Sequence, residues 1–169
     1  MTDATIETPL AGPRKKKMTL VVMSGDFDKL FGAFIIATGG AAMGMEVTMF
    51  FTFWGLRALR NTKPTGKTLF GRMLGVMYGG DITKSNPSKF SFGGMGRWMF
   101  NKMMAANNVA KLIELRDLAI ALGVGLYPCQ MSMDVMEFPA ESFIEGVKPA
   151  VGVGFMLAEA EESAIQFFI

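Results

Sequence analysis

Apolar and polar positions divide the chain into short apolar runs alternating with stretches of helical period. Thr19 to Ser24 (TLVVMS) is a continuous apolar run stopped by Gly25-Asp26, which predicts a strand covered on both faces. From Asp26 to Met43, Leu30, Phe31, Phe34 and Ile35 recur at helical spacing, and Asp26 stands where a side-chain oxygen can cap a helix start. Glu46 to Phe51 (EVTMFF) predicts a second buried strand, after which Thr52-Phe53-Trp54-Gly55 turns the chain. Leu112 to Leu122 predicts a helix, because Leu112, Leu115, Leu118, Ala119 and Leu122 share one face. A third strand, Val124 to Pro128, ends at Cys129. Pro139 to Val147 is expected to be helical with Phe143, Ile144 and Val147 inward. A strand near Pro149 to Val153, a helix from Phe155 to Ala164 and a last strand from Ile165 to Ile169 follow.

This order predicts an α/β fold: a mostly parallel, five-stranded sheet with helices on both faces, in three layers. Asn61 to Asn108 interrupts the alternation and reads as an insertion rich in Gly, Met and Lys/Arg. Within it, Phe70, Met73, Leu74 and Met77 are spaced as one amphipathic stretch, and Met95, Trp98, Met99, Lys102 and Met103 as another. Gly79-Gly80-Asp81 and Ser85-Asn86-Pro87 between them are loop chemistry. Methionine repacks readily, so burial in the core or between subunits, docking of a partner, and peripheral contact with a membrane are all open to this segment.

A length of 169 residues suits one domain, expected here over 18–169 behind a disordered basic tail, 1–17. The tail contains Pro9, Gly12, Pro13 and the run Arg14 to Lys17, and lacks the apolar stretch of a secretory signal. Leu30 to Met45 is uncharged and could pass for a membrane span, but Gly39, Gly40, Gly44 and Glu46 fall where a helix should end and a buried strand begin. A soluble, cytoplasmic protein is expected. Half of the residues are hydrophobic and only 19% are charged, leaving apolar surface to hide, which predicts a homo-oligomer.

The net charge of +2 conceals an asymmetry. Arg57 to Lys111 holds ten Lys/Arg against Asp81 alone, whereas Leu112 to Ile169 holds nine Asp/Glu against Arg116 and Lys148. A basic stretch favours acidic partners by a screened Coulomb force, but its sign does not choose among protein, lipid and nucleic acid. No Gly-Lys-Ser/Thr follows the glycines around Gly79 and Gly93, so a phosphate-binding loop finds no support.

One cysteine excludes an internal disulfide, a CxxC redox pair and a cysteine-rich zinc site. The absence of histidine removes Ser/His and Cys/His nucleophile pairs and the commonest neutral-pH base. What remains is Cys129, at the carboxyl end of a predicted parallel strand, where α/β sheets collect their reactive groups. A helix expected from Met131 or Ser132 would set free backbone N–H groups and the positive end of a dipole beside the sulfur, worth up to about 2 kcal/mol to an anion in favourable geometry. Thiol-to-thiol sulfur transfer needs little further proton chemistry. A lone cysteine at a strand end can equally be inert packing, and Asp134 in a first helical turn can serve the dipole alone.

Four segments carry a resemblance: Leu20-Val21-Val22-Met23-Ser24-Gly25-Asp26, Phe50-Phe51-Thr52-Phe53-Trp54-Gly55, Gly93-Gly94-Met95-Gly96, and Cys129-Gln130-Met131-Ser132-Met133-Asp134-Val135-Met136. Together they resemble the DsrE/DsrF/DsrH-like family, in its longer branch often labelled peroxiredoxin-like, from about Met18 to Ile169. The resemblance implies a parallel α/β protein forming trimers or hexamers. It also implies relay of sulfane sulfur as a persulfide on Cys129 among rhodanese-type and TusA-type carriers, with no metal or organic cofactor and no nucleic acid. Asp26, Trp54, Gly55, Gln130, Ser132 and Asp134 are the expected pocket, since they lie at predicted strand ends. Two departures stand out: Tyr127-Pro128 before the cysteine, where small or apolar residues are expected, and Glu137 where glycine is expected. A thiol peroxidase-like protein and a non-enzymatic docking scaffold are the alternatives, although only Pro128 stands in for the Thr and Pro that precede a peroxidatic cysteine.

Overall fold

The computed structural model describes residues 16–78 and 80–169. Most of the expected N-terminal tail, and Gly79 of the expected loop, lie outside the described residues, while Lys17 already belongs to the first strand.

Four strands, β1 (Lys17–Val22), β2 (Glu46–Phe51), β3 (Gly125–Pro128) and β4 (Ser163–Phe168), form one parallel sheet in the order β3-β2-β1-β4. The central strands are the continuous apolar runs of the sequence, because a strand covered on both faces has no polar side to show. Every residue of β2 after Glu46 is buried. Helix α1 (Phe27–Ala42) turns Phe27, Leu30, Ala33, Phe34 and Ala37 inward at a helical period, and Gly40 lets it close on Met18 and Val47. Phe34 meets Phe51 with ring centroids 6.1 Å apart. Each such buried side chain contributes about 1.5–3 kcal/mol relative to exposure. Helices α2 (Leu69–Met77) and α3 (Met95–Ala106) occupy the stretches of 61–108 where amphipathic spacing predicts them. Helix α4 (Leu112–Ala121) packs beside α1, α5 (Gln130–Met136) follows β3, and α6 (Val153–Glu161) packs against β1 and β4.

Two expectations are corrected. The sheet has four strands, not five. The segment expected as a strand near Pro149 to Val153 touches the sheet through one parallel bridge, Cys129 to Val151. Lys148 N–H reaches the Leu126 carbonyl at 2.9 Å and Val151 N–H the Pro128 carbonyl at 3.0 Å, but Pro149 between them has no N–H to continue the ladder. The helix expected over Pro139 to Val147 is only a 3-10 turn, Ala140–Ser142. Its backbone is taken by another segment: Asn61 N–H donates to the Ser142 carbonyl, Asn61 Nδ2 to the carbonyls of Glu141 and Phe143, and Ile144 N–H to the Leu59 carbonyl.

Among the described residues no helix is long and apolar enough to cross a membrane. Ile165, Phe167 and Phe168 on the edge strand β4, and Val153 and Leu157 on α6, are exposed.

Candidate functional site

The carboxyl ends of β1, β2 and β3 lie side by side, and hydrogen bonds continue the ladder beyond them. Thr52 N–H donates to the Val22 carbonyl at 3.0 Å, Gly55 N–H to the Met23 carbonyl at 2.8 Å, and Cys129 N–H to the Phe51 carbonyl at 2.8 Å. The three loops that follow these strands are thereby held to the sheet edge, and Cys129 is the N-cap residue of α5. Its carbonyl accepts from Met133 N–H at 3.0 Å, and Gln130 N–H donates to the Val151 carbonyl at 3.0 Å. Helix α5 begins one or two residues earlier than the sequence predicts. The thiol makes no capping hydrogen bond, and the residue is 5% exposed. A cavity of about 270 Å³ runs beside it, lined by its neighbours Pro128 and Met133 together with Phe143, Val147 and Lys148. Cys129 itself does not line that cavity.

The expected pocket residues fall into two groups. Gln130, Ser132 and Asp134 share α5 with the cysteine. Gln130 Nε2 donates to Asp134 Oδ1 at 2.9 Å on the exposed side, and the buried Ser132 hydroxyl pairs with Thr52 Oγ1 at 2.8 Å, tying α5 to the end of β2. Asp26, Trp54 and Gly55 belong to a second cluster, after β1 and β2. Asp26 is the N-cap residue of α1, but its side chain makes no capping bond there. Trp54, 46% exposed, meets the Tyr78 ring edge-on at 4.8 Å and accepts the Tyr78 hydroxyl on its carbonyl at 2.7 Å. Gly55 is buried where a β-carbon would strike the Val22 carbonyl oxygen. Gly55 N–H also donates to the Thr52 carbonyl at 3.0 Å, so this second cluster reaches α5 through Thr52 and its bond to Ser132.

Sequence reasoning missed the residues that organise the second cluster. The Arg57 guanidinium lies 3.7 Å from the Tyr78 ring centroid, and the Arg60 guanidinium 4.4 Å from that of Phe138. Burial pushes the Tyr78 phenol up to about 12, against the pull of the Arg57 charge. Burial holds the Arg57 and Arg60 guanidiniums below their ordinary value, and for Arg60 the neighbouring Arg57 charge adds to it. The available signal was two arginines set three apart within an otherwise apolar turn, Phe53–Leu59 and Arg60. Thr52 and Glu137 were also missed as partners of the site's elements. Tyr127, the unusual residue before the cysteine, is half-buried against Phe155, with ring centroids 4.6 Å apart.

The site is thus a cysteine at the carboxyl edge of a parallel α/β sheet, in the N-cap position of the following helix. Residues 14–168 match the DsrE/DsrF/DrsH-like family, and the chain belongs to it. It is 40% identical over 156 residues to an uncharacterized protein, YrkE, of Bacillus subtilis (strain 168), covering 91% of this chain and 97% of that one. It is 32% identical over 159 residues to the sulfur carrier protein DsrE2 of Allochromatium vinosum, covering 92% and 99%. Among solved structures, the ychN protein from E. coli shares the fold with a TM-score of 0.53 at 11% identity, covering 91% of this chain and 99% of that one.

Proposed function

We propose that this protein is a sulfur carrier that holds sulfane sulfur as a persulfide on Cys129. The observation that carries the reading is the position of the chain's one cysteine, bound by its backbone to β2 and capping α5, in a chain 32% identical to a sulfur carrier over nearly its whole length. In the transfer step the Cys129 thiolate attacks the outer sulfur of a donor persulfide. The new S–S bond forms as the donor's S–S bond breaks, the donor leaves as a thiolate, and the proton of the outer sulfur stays on it or passes to water. The reverse step delivers the sulfur to an acceptor thiolate, and neither requires an oxidant, a metal or a histidine. Rhodanese-type and TusA-type proteins are the partners of this reading, and Gln130, Ser132 and Asp134 are the polar side chains of α5, the helix that follows the reacting sulfur. The exposed apolar residues of β4 and α6 support assembly into a homo-oligomer.

Incubation with polysulfide followed by intact-protein mass spectrometry is expected to show one added sulfur, removable by dithiothreitol. A Cys129→Ser protein that gains the same mass would end the proposal.

A further inference from the structure

Three guanidinium groups stand in a row behind the loop between α2 and α3. Arg60 Nη1 and Arg57 Nη2 donate to one oxygen, the Tyr78 carbonyl, at 3.4 and 3.1 Å. Arg57 Nη1 and Arg97 Nη1 donate to another, the Lys84 carbonyl, at 3.1 and 2.9 Å. Arg57 and Arg60 are only 7% and 1% exposed, and the Nε of each is buried without a partner. Among the described residues no carboxylate comes within ion-pairing distance of any of the three. Asp26 and Asp81 act on Arg57 only from farther away, and Asp81 Oδ1 is already engaged by Thr83. Cations buried without a counter-ion in contact are costly, and the carboxylates of Asp26 and Asp81 offset the positive field of this row only from a distance.

The third arginine opens onto a cavity. About 210 Å³ lies between the start of α1, the 3-10 turn Ile82–Lys84, α3 and the start of α4. Phe27, Met104 and Leu112 form its apolar wall, and Arg97, Asn101 and Lys111 are the nitrogen-bearing side chains among its lining residues. No acid lines it, and the nearest on α4, Glu114, stands 3.8 Å from Lys111 Nζ. A dry cavity of about 150 Å³ accepts benzene, so this one has room for a ring or short alkyl chain with a small head group.

We propose that this cavity binds a small organic anion, its apolar body against Phe27, Met104 and Leu112 and its carboxylate or sulfonate head against Arg97 and Lys111. The site shares no residue with α5, so it stands independently of the role of Cys129. The apolar wall selects the body, and Arg97, which among the described residues has no carboxylate within ion-pairing distance, selects the charge.

Benzoate and the neutral benzyl alcohol serve as probes, titrated at constant ionic strength into the full chain carrying ¹³C-methyl methionine. Benzoate is expected to shift the Met104 methyl resonance saturably and to bind about tenfold more tightly than the alcohol, the ordinary scale for a charge-assisted hydrogen bond. Arg97→Gln should bring benzoate down to the affinity of the alcohol, Lys111→Gln should weaken it less, and Ala105→Trp, which fills the cavity, should remove both. Lys111 is exposed, so its variant carries the charge test if Arg97→Gln does not fold. Absence of saturable shifts, equal affinity for the two probes, or benzoate binding untouched by the folded charge variants would overturn the proposal.

Discussion

Glu137, the residue that ends α5, holds the start of α2: its carboxylate accepts hydrogen bonds from Thr68 Oγ1 at 2.6 Å and Thr68 N–H at 2.8 Å, and from Lys67 N–H. Thr68 in turn caps α2 by accepting from Gly71 N–H at 3.1 Å. Glu137 adopts the left-handed conformation, φ 52°, that helix ends usually give to glycine. The side chain therefore offsets a strain that glycine would not carry.

Substitution separates the two effects. Glu137→Ala keeps the strained backbone and loses the hydrogen bonds from Lys67 and Thr68, so its urea midpoint should fall below that of Glu137→Gly, which loses the same bonds but relaxes the backbone. The hydrogen bonds from Thr68 also hold the Glu137 carboxyl below its ordinary value of 4.5. A depressed carboxyl gives stability that is complete above the unfolded value and fades as pH falls through the folded one. Urea midpoints measured from neutral pH downward should accordingly decline below about 4.5, and Glu137→Gln should flatten that decline.

The Thr52–Ser132 hydroxyl pair is expected to behave as a unit. Thr52→Val alone leaves the buried Ser132 hydroxyl without its partner, which should cost about 1–3 kcal/mol. Adding Ser132→Ala removes the orphan, so the double variant should lose less than the sum of the single losses in a urea double-mutant cycle. Strict additivity would show that the pair contributes nothing to seating α5.

Gly55→Ala tests the junction of β1 and β2. Its methyl would meet the Val22 carbonyl oxygen, which already accepts from Thr52, while Gly55 N–H must keep its bond to Met23. The turn would have to leave the sheet edge, a loss expected at about 3 kcal/mol or more by thermal unfolding.

Elements whose character is local were legible. β2 runs from Glu46 to Phe51 as its unbroken apolar run predicts, and α1 and α4 keep their predicted bounds to within a residue or two. But α4 turns Leu112, Arg116 and Ala119 inward and leaves Leu118 and Leu122 of the predicted face exposed, as α1 leaves Ile35. The family was legible too, in the contiguous strings around Gly25, Trp54, Gly93 and Cys129, and the match over residues 14–168 bears it out. Segments whose backbone is claimed from afar were not. Pro139 to Val147 has a helical pattern, yet Leu59 and Asn61 take its hydrogen bonds. In the sequence Arg57 and Arg60 count only toward a basic stretch, whereas in the fold they are buried against the carbonyls of Tyr78 and Lys84, 18 to 27 residues away, with Lys63 nearby in the chain. The contribution of Glu137 to α2 crosses about seventy residues, a distance no spacing argument reaches.

The backbone around Cys129 has spent its freedom. Its N–H belongs to β2, its carbonyl to α5, and the next N–H to Val151. Only rotation about the Cα–Cβ bond is left to the sulfur, which is thus a stationary berth and no swinging arm. Under the proposed sulfur-carrier role, sulfur would have to be delivered there by a visitor that parts the groups covering the thiol and docks against the sheet edge.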